Sequence, residues 1–381
     1  MNFELNKEQN QLRERAADVL KNGVEPILAA YGQKKYIDRP TMTRIYKALT
    51  PLGYLGSTIP KEAGGAGLDH VTYGVLLETL AKANINLGEM VPPRTMYFLG
   101  NAEQKKKFLP DLLSGNIVST ACITEPQAGS DPRGIKTTAV LNGDHYSING
   151  CKAWVFKGSI ADMATVLAIT DPEKGYKGTS RFIVDRRVSP FQVKDYPMIG
   201  FRIIPVSELT FKDCKVPKEN MLGVPGQGLK RFYKAMEASR AFIGIQAVGL
   251  AQAAIDIAVP YSKSRIQFGK PIGGFQLIQD YLAEAATEVD AARLLCYKAL
   301  AKVDRGLSAA SEAAMAKWYA TEIAVKTASR VMQIMGAYGL TDEAGVERFL
   351  RDAKMLTIQD GTNEIMKLIV GRELTGLRAF S

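Results

Sequence analysis

The sequence predicts an α+β protein whose helices and strands occupy separate segments. Three observations carry this. Residues 1–117 show helical periodicity, residues 118–225 show short strand signals divided by turn residues, and residues 226–381 return to long helical patterns rich in Ala, Leu, Ile and Met. An order of helices, then strands, then helices fits segregated layers and not a doubly wound sheet, whose elements alternate.

The first helix is expected to place Leu5, Leu12, Ala16 and Leu20 on one face. Pro60 to Gly67 reads as a glycine-rich loop, after which Asp69 caps a helix carrying Val71, Val75, Leu76 and Leu80. A further helix is expected from Ala102 to Leu113, ending before Ser114-Gly115-Asn116. In the middle segment, Asn142-Gly143-Asp144 lies between two strand-like runs, 137–140 and 145–148, a hairpin signal. More strands are expected at 164–169, 181–184, 191–193 and 208–211, giving an antiparallel β domain. Helices follow at 227–259, 274–305, 308–337 and 342–354, with a last one after Gly361 and breaks at Pro260 and Gly339.

The 381 residues suffice for two or three domains. No apolar run of about 18 residues stands out, so no membrane span is expected. The start, Met1-Asn2-Phe3-Glu4-Leu5, lacks the pattern of a signal peptide, and a cytoplasmic protein is the simplest reading. Four separated cysteines and two histidines give no metal-ligand spacing, so no metal is expected. The net charge of +10 is dispersed, which fits a phosphate-rich small ligand or an anionic redox partner better than nucleic acid.

Two constellations suggest ligand chemistry. Ile123-Thr124-Glu125-Pro126-Gln127-Ala128-Gly129-Ser130-Asp131 offers small residues and hydroxyls after a strand, as a surface turn or as a cradle for an anionic ligand. Asn149 to Phe156 includes Trp154, which fits either a core or one face of a planar cofactor.

Taken with Arg265-Ile266-Gln267-Phe268-Gly269-Lys270-Pro271, Arg351-Asp352-Ala353-Lys354 and Asp360-Gly361-Thr362, these motifs resemble the acyl-CoA dehydrogenases over nearly the whole chain. The resemblance implies a tetrameric FAD enzyme with an N-terminal helical domain, a middle β domain and a C-terminal four-helix bundle, passing electrons to an electron-transfer flavoprotein. It implies flavin contacts from Thr124 and the backbone at Ile123, a Ser130 hydroxyl near the phosphates and the CoA arm, and Trp154 as a shield. Arg265, Gln267 and Phe268 match a segment reaching FAD from a neighbouring subunit, with Arg265 on the pyrophosphate, where a permanent bidentate cation is suited. Gln333 matches another such contact, and Thr362 and Glu364 lie near the adenine half. Glu237 and Arg240 resemble positions that hold CoA. Gly361 falls on the substrate side of the motif.

Two positions depart from the family. Asp360 stands where the base that removes the α-proton is a glutamate, and Phe156 stands where a threonine can bond flavin N5. Aspartate is shorter by one bond, about 1.5 Å. Asp360 is therefore expected to serve an unusual substrate, an alicyclic or branched acyl-CoA. Glu89 is a second acid in the segment enclosing the acyl pocket, and Arg94 a candidate for a carboxylated tail. Competing expectations are a nitroalkane-oxidase-like enzyme, which uses an aspartate here, and an enoyl-CoA reductase. A DNA-associated relative is disfavoured because the basic C-terminal region of such proteins is missing.

Overall fold

The computed structural model describes residues 4–31, 36–83 and 85–379. The Met1–Phe3 part of the N-terminal reading lies outside them. Helix α1 (Lys7–Val19) opens on a capping box in which the side chains and amides of Asn6 and Gln9 bond reciprocally. That cap leaves Leu5 ahead of the helix and not on its face. The buried stripe is Ala16, then Leu20 and Val24 on a π-turn leading into α2 (Glu25–Tyr31). Asp38 caps α3 (Arg39–Leu49), and Asp69 caps α4 (His70–Leu80) by accepting from the Thr72 amide at 2.6 Å. Two prolines begin α5 (Val91–Leu99), and α6 (Ala102–Ser114) ends on Gly115 in the left-handed region.

The middle segment is one eight-stranded sheet. Its strands are β1 (Ser119–Cys122), β2 (Thr138–Asn142), β3 (His145–Phe156), β4 (Met163–Ile169), β5 (Thr179–Asp185), β6 (Gln192–Tyr196), β7 (Val206–Pro217) and β8 (Met221–Leu222). The order is β6-β7-β3-β2-β4-β5-β8, with β1 beside β4. The expected hairpin joins β2 to β3, Asn142 opposite His145. The sheet is not wholly antiparallel: β1 runs parallel to β4, with Ser119 opposite Met163, and β2 meets β4 in parallel at Thr138 and Ile169. The β2–β3 hairpin intervenes between β1 and β4, and this longer connection returns the chain in the same direction.

Helix α7 (Gly228–Ser264) runs through Pro260, contrary to the expected break. The proline is exposed and near the helix end, so the carbonyl it leaves without a donor can meet water. Helix α7 is long and apolar enough to cross a membrane by length and composition alone, but 78% of its most apolar window is buried within the protein, as in a core helix. A hairpin of β9 (Ile266–Gln267) and β10 (Lys270–Pro271) follows, then α8 (Gln276–Asp304) and α9 (Ala310–Met335). The break after α9 falls at Gly336, and Gly339 belongs to the 3-10 turn beyond. Helices α10 (Glu347–Leu356) and α11 (Asn363–Thr375) complete the chain.

The first and last segments share one core. Tyr73, Leu76 and Leu80 of α4 pack with Phe242, Ile245 and Val248 of α7 and with Leu300 and Ala316. The helices approach closely at Gly249, where a Cβ would lie 2.3 Å from the Glu78 carbonyl. The sheet has its own core around Ile148, Val166, Phe182, Leu209 and Val216. Met96, Phe108 and Leu112 of α5 and α6 cover its edge against Met163, Ile183 and Leu222.

A buried ion pair ties the two ligand-like motifs together. Lys152 Nζ donates to Glu125 Oε1 at 2.7 Å and to the Ile123 carbonyl at 2.9 Å. Glu125 also accepts from the amides of Lys136 and Thr137, and the Lys152 charge with these bonds holds its carboxyl below the usual range against the upward push of burial. Removing one partner strands the other charge. Lys152→Met is expected to cost about 3–5 kcal/mol of stability, read as an earlier urea midpoint; a loss under about 1 kcal/mol would contradict the reading.

Candidate active site

Asp360 sits in the turn between α10 and α11. Its φ is +56°, and Gly361 follows at +99°. Aspartate tolerates this left-handed region better than most side chains. The Gly361 backbone, at +99°, is one that side-chain-bearing residues rarely adopt, which favours glycine there. Thr362 then caps α11 by accepting from the Ile365 amide. The turn is therefore built from residues that favour such backbone, and it delivers a carboxylate into the junction of α7, α9 and the 88–90 segment.

The 88–90 segment is fixed by two buried tyrosines. Tyr54 Oη donates to the Gly88 carbonyl at 2.6 Å, and Tyr73 Oη accepts from the Met90 amide at 3.2 Å. Glu89 is thereby held indoors, where Arg94 Nη1 donates to its Oε2 at 2.5 Å. The Arg94 guanidinium lies 5.8 Å from the centre of the Phe242 ring.

Ser239 joins the two acids. Its hydroxyl lies 2.8 Å from Asp360 Oδ2 and is also hydrogen-bonded to Glu89 Oε1. A serine hydroxyl has one proton and cannot donate to two carboxylates at once. The chain Glu89–Ser239–Asp360 is satisfied only when the carboxyl pair holds one proton, so the acids titrate as a pair. Burial raises the Asp360 carboxyl above the ordinary range, while Ser239, Arg240 and Lys317 pull it partly back. Burial likewise raises Glu89, opposed by Arg94 and reinforced by Asp360. Arg240 Nε also reaches the Asp360 carbonyl at 3.4 Å.

The sheet supplies a flat face. Trp154, in the left-handed region at a bulge of β3, is 52% exposed and stacks on Tyr196 at 4.5 Å between ring centres. The Ala153 amide donates to the Thr124 carbonyl at 2.9 Å, so Thr124 and Trp154 are held side by side. Phe156 packs edge-on to Phe201, 5.6 Å between centres. Phe201 is fixed in turn by Asp352, whose Oδ1 accepts its amide at 2.6 Å. The Arg351-Asp352 motif thus docks the helical bundle onto the sheet beside Phe156.

Thr124, Trp154 and Phe156 thus gather on the sheet side. Asp360, Gly361, Arg240, Glu89 and Arg94 gather around the acid pair. Ser130 is exposed on the loop after β1. Thr362 and Glu364 lie at the start of α11, with Glu364 exposed. Arg265, Gln267 and Phe268 lie on the β9–β10 arm, with Phe268 94% exposed, and Gln333 is exposed on α9. Glu237 accepts from the Ala309 amide at 2.7 Å and from Ser308, so its carboxylate serves the start of α9.

An exposed aromatic platform on a sheet and a carboxylate pair in a helical bundle docked on that sheet are compatible with a flavoprotein of the kind that takes hydrogen from carbon. Comparison with known proteins specifies it. The chain matches the acyl-CoA dehydrogenase N-terminal domain over residues 6–116, the middle domain over 120–214 and the C-terminal domain over 226–375. It belongs to the acyl-CoA dehydrogenase family, FAD-dependent oxidoreductases acting on CH–CH bonds. An acyl-CoA dehydrogenase of Bacillus subtilis is 36% identical, covering 97% of this chain and 98% of the relative. The glutaryl-CoA dehydrogenase of Desulfococcus multivorans is 35% identical, covering 99% of each. The butyryl-CoA dehydrogenase structure from Megasphaera elsdenii superposes with a TM-score of 0.92 at 34% identity, covering 98% of this chain and all of that one.

Sequence reasoning missed Ser239, Tyr196 and Lys317. Ser239 stands next to Arg240 but is ordinary in a helix. Lys317 carried a usable signal: buried Ala313, Ala314, Ala320 and Thr321 surround it at helical spacing, which places a lysine on a core face.

Ser239→Ala removes the hydroxyl that donates to Asp360 Oδ2, a bond that lowers the Asp360 carboxyl pKa. The acid limb of substrate-driven flavin reduction is expected to move to higher pH in stopped-flow measurements. An unmoved midpoint would count against the bridge.

Proposed function

We propose that this chain oxidises a compact acyl-CoA, branched or alicyclic in its acyl group, to the enoyl-CoA with Asp360 as the base. The observation that carries this is the single Ser239 hydroxyl shared by Asp360 and Glu89. It sets a buried acid, itself paired with Arg94, within two hydrogen bonds of the base. A long straight alkyl chain running past Asp360 would lie against these charges and deprive them of solvation. A short, wide acyl group ends before them and brings its acidic carbon toward the recessed aspartate.

FAD, when bound, accepts the hydride from the β-carbon. The residues present fit it: an exposed indole held flat by Tyr196, and a Thr124 strand end bonded beside it. Asp360 Oδ2 is taken by Ser239, and Oδ1, which has no hydrogen bond among the described residues, takes the α-proton. The Asp360 amide is the donor proposed for the thioester oxygen. Phe156 and Phe201 offer no hydrogen bond and narrow the site from the sheet side.

The β9–β10 arm supports an oligomer. It begins at the far end of α7 from Arg240, about 36 Å away at 1.5 Å per residue. An FAD bound near Asp360 would meet Arg265, Gln267 and Phe268 of a second copy, in the manner of a homotetramer. We further infer an electron-transfer flavoprotein as acceptor and a cytoplasmic setting, the latter supported by four unpaired cysteines.

A second reading, a nitroalkane-oxidase-like enzyme, is favoured only by the aspartate at 360. Anaerobic flavin bleaching by a panel of straight, branched, alicyclic and dicarboxylic CoA esters separates these readings. The expected result is fastest bleaching by a branched or alicyclic ester and none by nitroethane. Fastest bleaching by a long straight chain would contradict the compact acyl group, and bleaching by nitroethane with rapid reoxidation in air would favour the oxidase.

A further inference from the structure

Lys317 lies fully buried on α9, beneath the turn that carries Asp360. Its Nζ donates to the Thr357 carbonyl, the Gly361 carbonyl and Asn363 Oδ1, each at 2.9 Å. Thr321 Oγ1 also donates to Asn363 Oδ1, at 3.1 Å. An ammonium has three donors and no acceptor. Three acceptors therefore match it fully, and they bracket Asp360 from three residues before to three residues after. No carboxylate forms an ion pair with Lys317 among the described residues, so its hydrogen bonds are spent on backbone shape.

We propose that Lys317 is a positioning residue: its ammonium holds the 357–363 turn so that Asp360 keeps its left-handed geometry, and deprotonation releases the turn. The catalytic half of this rests on Asp360 being the base; the structural half does not. A neutral amine keeps two donors and turns a lone pair toward the third oxygen, so one acceptor loses its partner and is repelled.

The surroundings place this change within reach of ordinary pH. Burial pulls the Lys317 ammonium down to about 7. Asp360 opposes this most, Arg240 on α7 adds to it, and Glu364 on α11 and Glu322 on α9 favour the charged form more weakly. From α8, Cys296 lies against the neighbouring Ala316 carbonyl, and α10 acts through the Thr357 carbonyl that follows it. Flavin reduction should thus rise as Asp360 ionises and fall again as Lys317 loses its proton.

The test uses the FAD-loaded enzyme. Substrate-driven flavin reduction is followed from about pH 6 to about pH 10, a range chosen to span neutral and alkaline titrations, alongside deuterium exchange of the 357–363 amides. Lys317→Met keeps the stem and removes the donors. It is expected to retain FAD, to melt at a lower temperature because three acceptors lose their donor, to slow reduction about 100-fold at neutral pH, as for a base misplaced by about 1 Å, and to lose the alkaline limb. Exchange at 357–363 should rise at the same time. An alkaline limb that survives in the variant, or turn exchange that stays at the wild-type rate, would overturn the proposal. Lys317→Gln, which leaves two donors and no charge, serves if the methionine variant does not fold. If neither folds, the wild-type protein decides: no alkaline limb, and exchange at the turn that rises with pH no faster than intrinsic base-catalysed exchange, overturns it. Asp360→Asn that still reduces flavin while Lys317→Met loosens the turn would refute the base assignment and leave the role of Lys317 in shaping the turn intact.

Discussion

Asp360 has to remain ionisable in a half-buried junction of the bundle, where burial pushes its carboxyl pKa upward. Much of the surrounding structure answers that conflict. Ser239 offers a hydroxyl, Arg240 brings a guanidinium to the turn, and Lys317 grips the backbone on either side. None of these is a surface ion pair of small worth. Each is buried or half-buried, so each acts through a low local dielectric, where a missing partner is costly.

The same logic explains how the sheet and the bundle are joined. A reaction between two faces needs both held at a fixed separation. Asp352 takes the Phe201 amide, Arg351 takes the Ile199 carbonyl, and Phe201 leans on Phe156. On the other side of the sheet loop, the Glu125–Lys152 pair locks the strand ends that present Thr124 and Trp154. The bundle thereby fixes the acid and the sheet fixes the aromatic platform, and a short set of directed bonds sets their distance.

Features decided by near neighbours were legible in the sequence. Asp69 capping α4, Gly115 ending α6 and the Asn142-Gly143-Asp144 turn follow from local backbone chemistry. The motif residues named the family. Features decided by distant partners were not legible. The parallel pairing of β1 with β4 needs knowledge of where the chain returns. Ser239 and Asp360 lie 121 residues apart, and Lys317 meets its acceptors 40–46 residues on. Glu237 matches a ligand position by motif, and its bonds to Ser308 and the Ala309 amide ahead of α9 were not legible in the sequence. Pro260 misled because it lies near the exposed end of α7, where the lost hydrogen bond falls on a carbonyl that can meet water and little helix follows to be disrupted.

The central claim is that Asp360 takes the α-proton. Proton exchange at that carbon tests it without requiring net oxidation. An acyl-CoA analogue whose β-position cannot give up hydride is incubated with the FAD-loaded enzyme in deuterium oxide, and deuterium at the α-carbon is followed by mass spectrometry. The account predicts wash-in with the wild-type protein and none above background with Asp360→Asn. Exchange at the wild-type rate in the asparagine variant would contradict it and shift attention to Glu89.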